Sequence, residues 1–225
     1  MTKAHFVARS WLHLVTFAIL CTQMVACTAP VSSFPAYLVL ITPILPSSNG
    51  LCTGMVVSPT EIVTAAHCVE TAGRVMTVSG QEAWVIDARV SASHDVAVLV
   101  VDRVLFVRDF AEFGNPAVGK PATLWGYCPY MVSFVARRAF YNGLKDIEVS
   151  EGEYLTYGEW LLPTIPGASN KVCGGDSGLG IVQDGKVVGI LSAVYSDFAF
   201  VALGSTAYSV PVSFATELMT TEPLP

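Results

Sequence analysis

Glu61-Ile62-Val63-Thr64-Ala65-Ala66-His67-Cys68 is the stretch on which the fold turns. Glu61–Ala65 is a short apolar run of strand length, and Ala65–Val69 behind it suits a single helical turn. Runs of the same kind lie on both sides: Tyr37–Thr42, Gly54–Ser58, Arg74–Val78, Glu82–Ala88, Val96–Val101 and Val187–Ala193. Gly, Pro, Ser, Asn and Asp separate them, which is turn punctuation. Long stripes of 3.6-residue period are absent. The second helical exception is Val212–Met219, which follows Pro211. These features predict an all-β protein, a barrel or sandwich. Val107–Pro121 contains Gly114, Asn115, Pro116 and Gly119 and reads as the connection between two halves.

Composition narrows the function. The chain has 225 residues, 52% of them apolar and 13% charged, which excludes intrinsic disorder. Lys and Arg total 12 against 18 Asp and Glu, without a basic cluster, so no nucleic-acid partner is expected. A mean hydropathy of +0.55 raises the question of membrane spans. The apolar excess is uneven: Ser10 to Thr60 holds no Lys, Arg, Asp or Glu. Residues 1–26 have the layout of an export leader, with Lys3 and Arg9 ahead of the apolar Trp11–Ala26. Met24-Val25-Ala26-Cys27 resembles a bacterial lipobox with Met in place of Leu, making Cys27 a lipidation candidate. A cleaved signal and an uncleaved anchor are the other two readings. Loss of the leader takes the net charge from −6 to −8, because Lys3 and Arg9 leave and no acid does. A second uncharged run, Phe198–Thr216, is interrupted by Gly204, Ser205, Thr206, Ser209, Pro211 and Ser213. It reads as two strands and a short helix rather than a span. The expected molecule is one body behind one leader, secreted or in the periplasm or cell envelope. It is expected to be monomeric and to touch membrane only through the leader or a lipid.

Four cysteines lie beyond the leader: Cys52, Cys68, Cys128 and Cys173. Export permits disulfides, and four cysteines allow three pairings. No CxxC or HxxxH spacing is present, so no metal site is expected.

Three motifs carry chemistry: Thr64-Ala65-Ala66-His67-Cys68, His94-Asp95-Val96-Ala97-Val98-Leu99 and Cys173-Gly174-Gly175-Asp176-Ser177-Gly178. Singly, a His beside a Cys, an Asp before a strand and a Gly-Asp-Ser-Gly turn are ordinary structural features. In this order they resemble the chymotrypsin/trypsin family of serine endopeptidases, over residues 36 to 221 or so. The resemblance implies two six-stranded antiparallel β-barrels, about 36–112 and about 120–210, with a C-terminal helix about 212–221. Residues 27–35 then form a mature N-terminal segment ahead of a protease domain at 36–225. It further implies that Ser177 is the nucleophile, His67 the general base and Asp95 its orienter. Gly175 and Ser177 N–H groups would form the oxyanion hole. His94 is read as a surface or flanking residue. The expected substrate is a peptide or protein, and the mechanism needs no cofactor. By the same resemblance Cys52 pairs with Cys68. The usual partner of Cys173 is missing, and Cys128, after Trp125-Gly126, is the replacement.

The sequence departs from the family in three places. A family zymogen is cut after a basic residue, and the new N-terminus pairs with the acid before the nucleophile, here Asp176. No Lys or Arg lies between Arg9 and Arg74, so Asp176 needs another partner, or signal cleavage supplies the amine, and the enzyme is expected to be intrinsically active. Leu179 replaces the common Gly behind the nucleophile. Lys171 stands where trypsin-like enzymes carry the pocket-floor Asp; Ser192, Val194 and Thr206 are the other expected substrate contacts. A Lys at the floor disfavours Arg or Lys at P1 and leaves small or acidic side chains, unless it points to solvent. The rival readings are an inactive homologue that binds peptides, and an esterase.

Overall fold

Leu38-Val39-Leu40-Ile41 is apolar without alternation and buried throughout, as befits a strand covered on both faces. It opens β1 (Leu38–Pro43) of a computed structural model that describes residues 34–43, 50–128, 133–150, 152–163, 172–195 and 205–220. Side chains at 128, 133–135, 193–195 and 205 lie outside the description. β2 (Cys52–Ser58), β3 (Glu61–Thr64), β4 (Ala72–Thr77), β5 (Glu82–Val90) and β6 (Ala97–Val101) join β1 in a closed antiparallel barrel ordered β1-β2-β3-β6-β5-β4. The predicted helical turn after β3 is a 3-10 turn, Ala66–Thr71.

The second barrel is ordered β10-β11-β12-β9-β8-β7. Its strands are β7 (Pro121–Cys128), β8 (Ser133–Ser150), β9 (Glu153–Leu162), β10 (Gly180–Gln183), β11 (Lys186–Tyr195) and β12 (Ser205–Val210). Helix α1 (Val212–Thr220) ends the described chain. The expected all-β fold of two six-stranded barrels and one short C-terminal helix is what the chain adopts. Closure leaves neither sheet with an open edge. Leu124, Ala139, Trp160, Leu179, Ile181 and Leu191 pack together in the core of the second barrel. Trp160 satisfies its indole by donating to Ser209 Oγ at 2.8 Å.

β8 and β9 form a long hairpin that no sequence run singled out. β8 spans 18 residues and shifts register at Tyr141/Gly143, where Gly143 takes φ 118. Of the uncharged run Phe198–Thr216, β12 and most of α1 are described, whereas a strand before Gly204 lies outside the described residues. The connection after β6 is pinned to both barrels. Ala111 N–H donates to Val56 O at 2.9 Å, and Gly114 N–H to Val187 O at 2.8 Å. Among the described residues no helix is long and apolar enough to cross a membrane.

A disulfide joins Cys52 of β2 to Cys68 of the 3-10 turn, 16 residues apart. It restricts the unfolded chain, so replacing both cysteines with Ser should lower unfolding stability by about 3 kcal/mol. Urea unfolding of the oxidised protein and the double variant, at matched slope, measures it.

Candidate active site

β3 ends at Thr64, Ala65 stays extended, and the chain tightens into the 3-10 turn that carries His67. The Cys52–Cys68 bond ties that turn to β2. Asp95 lies two residues before β6, the strand paired with β3. Adjacent strands therefore deliver the two groups side by side. Asp95 holds the imidazole at two points: its Oδ2 lies 2.8 Å from His67 Nδ1, and its Oδ1 accepts from His67 N–H at 2.9 Å. A third bond comes from the second barrel, where Ser192 Oγ on β11 donates to Asp95 Oδ2 at 2.6 Å. Ser192, expected among the substrate contacts, is thus a partner of Asp95.

These contacts set the ionisation of both groups. The Asp95 hydrogen bond raises the His67 pKa above its ordinary value, against partial burial and with help from the carboxylate charge. Burial works to raise the Asp95 pKa, but hydrogen bonds from His67, Ser192 and the His67 backbone outweigh it and hold the carboxyl below the usual range. The His67 side chain is 47% exposed and Asp95 21%, so the imidazole faces solvent and its partner is largely covered.

His94, which flanks Asp95, packs against the C-terminal helix. Its ring stacks on Phe214 of α1 at 3.6 Å, with Ser93 Oγ 2.9 Å from its Nδ1. Burial lowers its pKa, with Glu217 opposing. It braces the loop ahead of Asp95 against the C-terminal helix.

Ser177 sits in a loop wound on itself. Asp176 N–H donates to Cys173 O and Leu179 N–H to Asp176 O, both at 3.0 Å. Gly178 takes φ 78 and leaves no room for a side chain, because a Cβ there would strike Thr64 and Ala65. Thr53 N–H of β2 donates to Ser177 O at 2.9 Å. The loop is thereby held against the same strands that carry the His67 turn. Ser177 Oγ makes no hydrogen bond to His67 among the described residues. Within that same set the Gly175 and Ser177 N–H groups also have no acceptor.

The partner of Asp176 is Arg137, which sequence reasoning missed. Arg137 lies on β8 and its Nη1 is 3.0 Å from Asp176 Oδ1; the side chains are 1% and 0% exposed. Burial pushes the Asp176 pKa up to about 6, against the pull of Arg137 and the Cys173 N–H. Burial also lowers the Arg137 pKa. Arg137 Nη2 is 3.2 Å from Cys173 Sγ. The available signal was an Arg137-Arg138 pair in a chain with only 12 basic residues. Leu179 is fully buried in the core of the second barrel. Opposite it, Gly126 has no space for a Cβ, which would collide with Asp176 Oδ1 and Leu179 Cδ2.

The remaining expected residues are placed unevenly. Thr206 is half-buried on β12, paired with Tyr195, and Val194 is on β11 with its side chain outside the description. Lys171 and Cys27 lie outside the described residues. Cys173 is disulfide-bonded. Cys128 ends β7, and its side chain is not among those described. Cys52, His67 and Cys68 offer ligand atoms within 4.8 Å of one another, but both sulfurs are spent in the disulfide, so the group is not a metal site.

The trypsin-like peptidase domain matches residues 52–190, more than half of the chain. The chain belongs to that family. Known structures share the fold of this trypsin-like peptidase. The Rv3671c protease of M. tuberculosis in its active form is 21% identical, with a TM-score of 0.64 over 85% of this chain and 84% of that one. The scabies mite inactivated protease paralogue S-I1 is 17% identical, with a TM-score of 0.62 over 83% and 95%. The MamO protease domain of Magnetospirillum magneticum is 14% identical, with a TM-score of 0.61 over 84% and 97%. No curated protein matched the sequence.

Removing one member of a buried ion pair strands the other charge. Arg137→Met in this trypsin-like peptidase should therefore cost about 3–5 kcal/mol of unfolding stability, and adding Asp176→Asn should recover much of it. Urea unfolding of the single and double variants tests this; equal stability of Arg137→Met and the parent would refute it.

Proposed function

We propose that the protein is a serine endopeptidase that hydrolyses peptide bonds through an acyl-enzyme. The observation that carries this reading is His67 held by Asp95 at 2.8 Å beside a Gly-Asp-Ser-Gly loop bonded to the same barrel. Asp95 fixes the tautomer with the proton on Nδ1, leaving Nε2 to accept the Ser177 proton. Ser177 Oγ then attacks the peptide carbonyl, and the oxyanion forms between the Gly175 and Ser177 N–H groups. The imidazolium, stabilised by Asp95, gives its proton to the leaving amine. Water repeats the sequence on the ester and frees Ser177. The lack of a Ser177–His67 hydrogen bond is compatible with this, since such bonds tighten when substrate is bound.

The protease domain spans 36–225, behind a leader at 1–26 and a mature segment at 27–35. An exported chain suits the Cys52–Cys68 bond, which persists in oxidising compartments. Cys27 is the lipidation site if the leader is processed at the lipobox-like motif. Cys128 is the partner of Cys173. Arg137 already answers the charge of Asp176, so activity requires no freed N-terminus. A Lys at 171 disfavours basic P1 side chains and admits small or acidic ones. Val194 narrows the entrance, with Thr206 on the opposite wall.

A fluorophosphonate should label Ser177 in the parent and not in Ser177→Ala. An unlabelled parent would instead support a peptide-binding homologue. On a P1-varied peptide library, preferred cleavage after Arg would sink the specificity assignment.

The pH dependence has a fixed sign. His67 acts only when neutral, and Asp95 raises its pKa above the ordinary 6.5. kcat/KM should therefore fall as pH drops, with an acid-limb midpoint above 6.5. A pH–rate profile from 5 to 9 or so reads it out.

A further inference from the structure

We propose that Thr53 is a positioning residue whose hydroxyl sets the oxyanion-binding loop from the opposite barrel. The inference rests on the endopeptidase reading above. Thr53 is fully buried on β2, yet its side chain bonds outside its own barrel. Its Oγ1 donates to Gly175 O at 2.7 Å and accepts from Tyr127 N–H of β7 at 2.9 Å. Its N–H donates to Ser177 O, and its carbonyl accepts from Thr64 Oγ1 at 2.9 Å. One side chain thus joins β7 to the nucleophile loop, and the same residue's backbone ties both to the strand leading to His67.

The peptide joining Gly175 to Asp176 explains why this matters. Its carbonyl is held by Thr53, and its N–H by Cys173 O at 3.0 Å. A peptide group is planar, so anchoring both ends fixes the orientation of the whole plane. That plane lies between the two donors assigned to the oxyanion hole, Gly175 N–H and Ser177 N–H. Gly175 has no Cβ and little intrinsic preference among backbone conformations, so the constraint must come from outside it. The Arg137–Asp176 pair holds the loop through a side chain; Thr53 holds it through the backbone. Val in place of Thr keeps the shape and removes the hydroxyl, which strands the Gly175 carbonyl and the Tyr127 N–H in a buried site.

The test uses the full chain with Thr53→Val, Thr53→Ser and Thr53→Ala. Peptide kinetics give kcat and KM, and hydrogen exchange gives protection across residues 173–179. Loss of one oxyanion donor typically costs about 10²–10³ in kcat, and a misaimed pair of donors should cost about tenfold or more. The expected result is that fall in kcat for Thr53→Val with KM nearly constant, faster exchange in the loop, and recovery of most of both by Thr53→Ser. Unchanged kcat and unchanged exchange in Thr53→Val would overturn the proposal. If the parent neither cleaves peptide nor takes the fluorophosphonate, the endopeptidase reading fails, and exchange alone decides: protection equal to the parent overturns the role of Thr53, and lost protection restored by Ser supports it. If Thr53→Val does not fold, Thr53→Ala carries the same comparison.

Discussion

A carboxylate with no exposed surface has to be answered by a positive charge or by its own protonation. Asp176 occupies such a place, next to Ser177 in the loop before β10, and Arg137 supplies the charge from β8. Much of the site's construction follows from that pair. β8 has to run past the loop to present the guanidinium. Gly126 has to lack a side chain so that the carboxylate fits. Cys173 brings its N–H to the second carboxylate oxygen and its sulfur toward the guanidinium. The loop between Cys173 and Leu179 is therefore shaped largely by the need to bury one acid.

The two barrels contribute different things to one place. The first offers a firmly held His67: β3, the 3-10 turn, the Cys52–Cys68 bond and the Asp95 carboxylate fix the imidazole at several points. The second offers the loop with Ser177 and reaches back through Ser192 to steady Asp95. Thr53 works in the opposite direction, from the first barrel to the loop of the second. Each half thus holds a part of the site that the other half presents. Relative movement of the barrels would loosen both the imidazole and the loop together, and the connection pinned at Val56 and Val187 opposes it.

The sequence spoke most clearly where chemistry and local geometry coincide. Thr64-Ala65-Ala66-His67-Cys68 told of a strand end and a turn, because apolar run, small residues and Cys fall in direct succession. The strands of the first barrel were legible because they are short, apolar and cleanly punctuated. The β8–β9 hairpin was not. Charged residues interrupt it at Arg137, Arg138, Lys145, Asp146 and Glu148, and the shift at Gly143 breaks its alternation. The hairpin joining β10 to β11 turns on Asp184 and Gly185, both at positive φ, a pair readable as a turn. Arg137 as the partner of Asp176 was beyond reach, since 39 residues separate them and only barrel closure brings them together. Thr53 was hidden for a different reason: within a strand, nothing in its neighbours says that a buried hydroxyl will bond across to another barrel.

The close approach at Gly126 also limits how this sequence can drift. Position 126 faces a carboxylate and a branched apolar side chain at once, so it admits no substitution while Asp176 and Leu179 both remain. Conversely, a smaller residue at 179 relieves only one of the two collisions. Change at these three positions is therefore tied. A lineage that lost the acid at 176 would remove the nearer collision at 126, keep the one with Leu179 and take the carboxylate away from Arg137; once 179 had also shrunk and 126 had gained a side chain, return would require several coordinated substitutions. The buried pair acts as a one-way gate on the evolution of the loop.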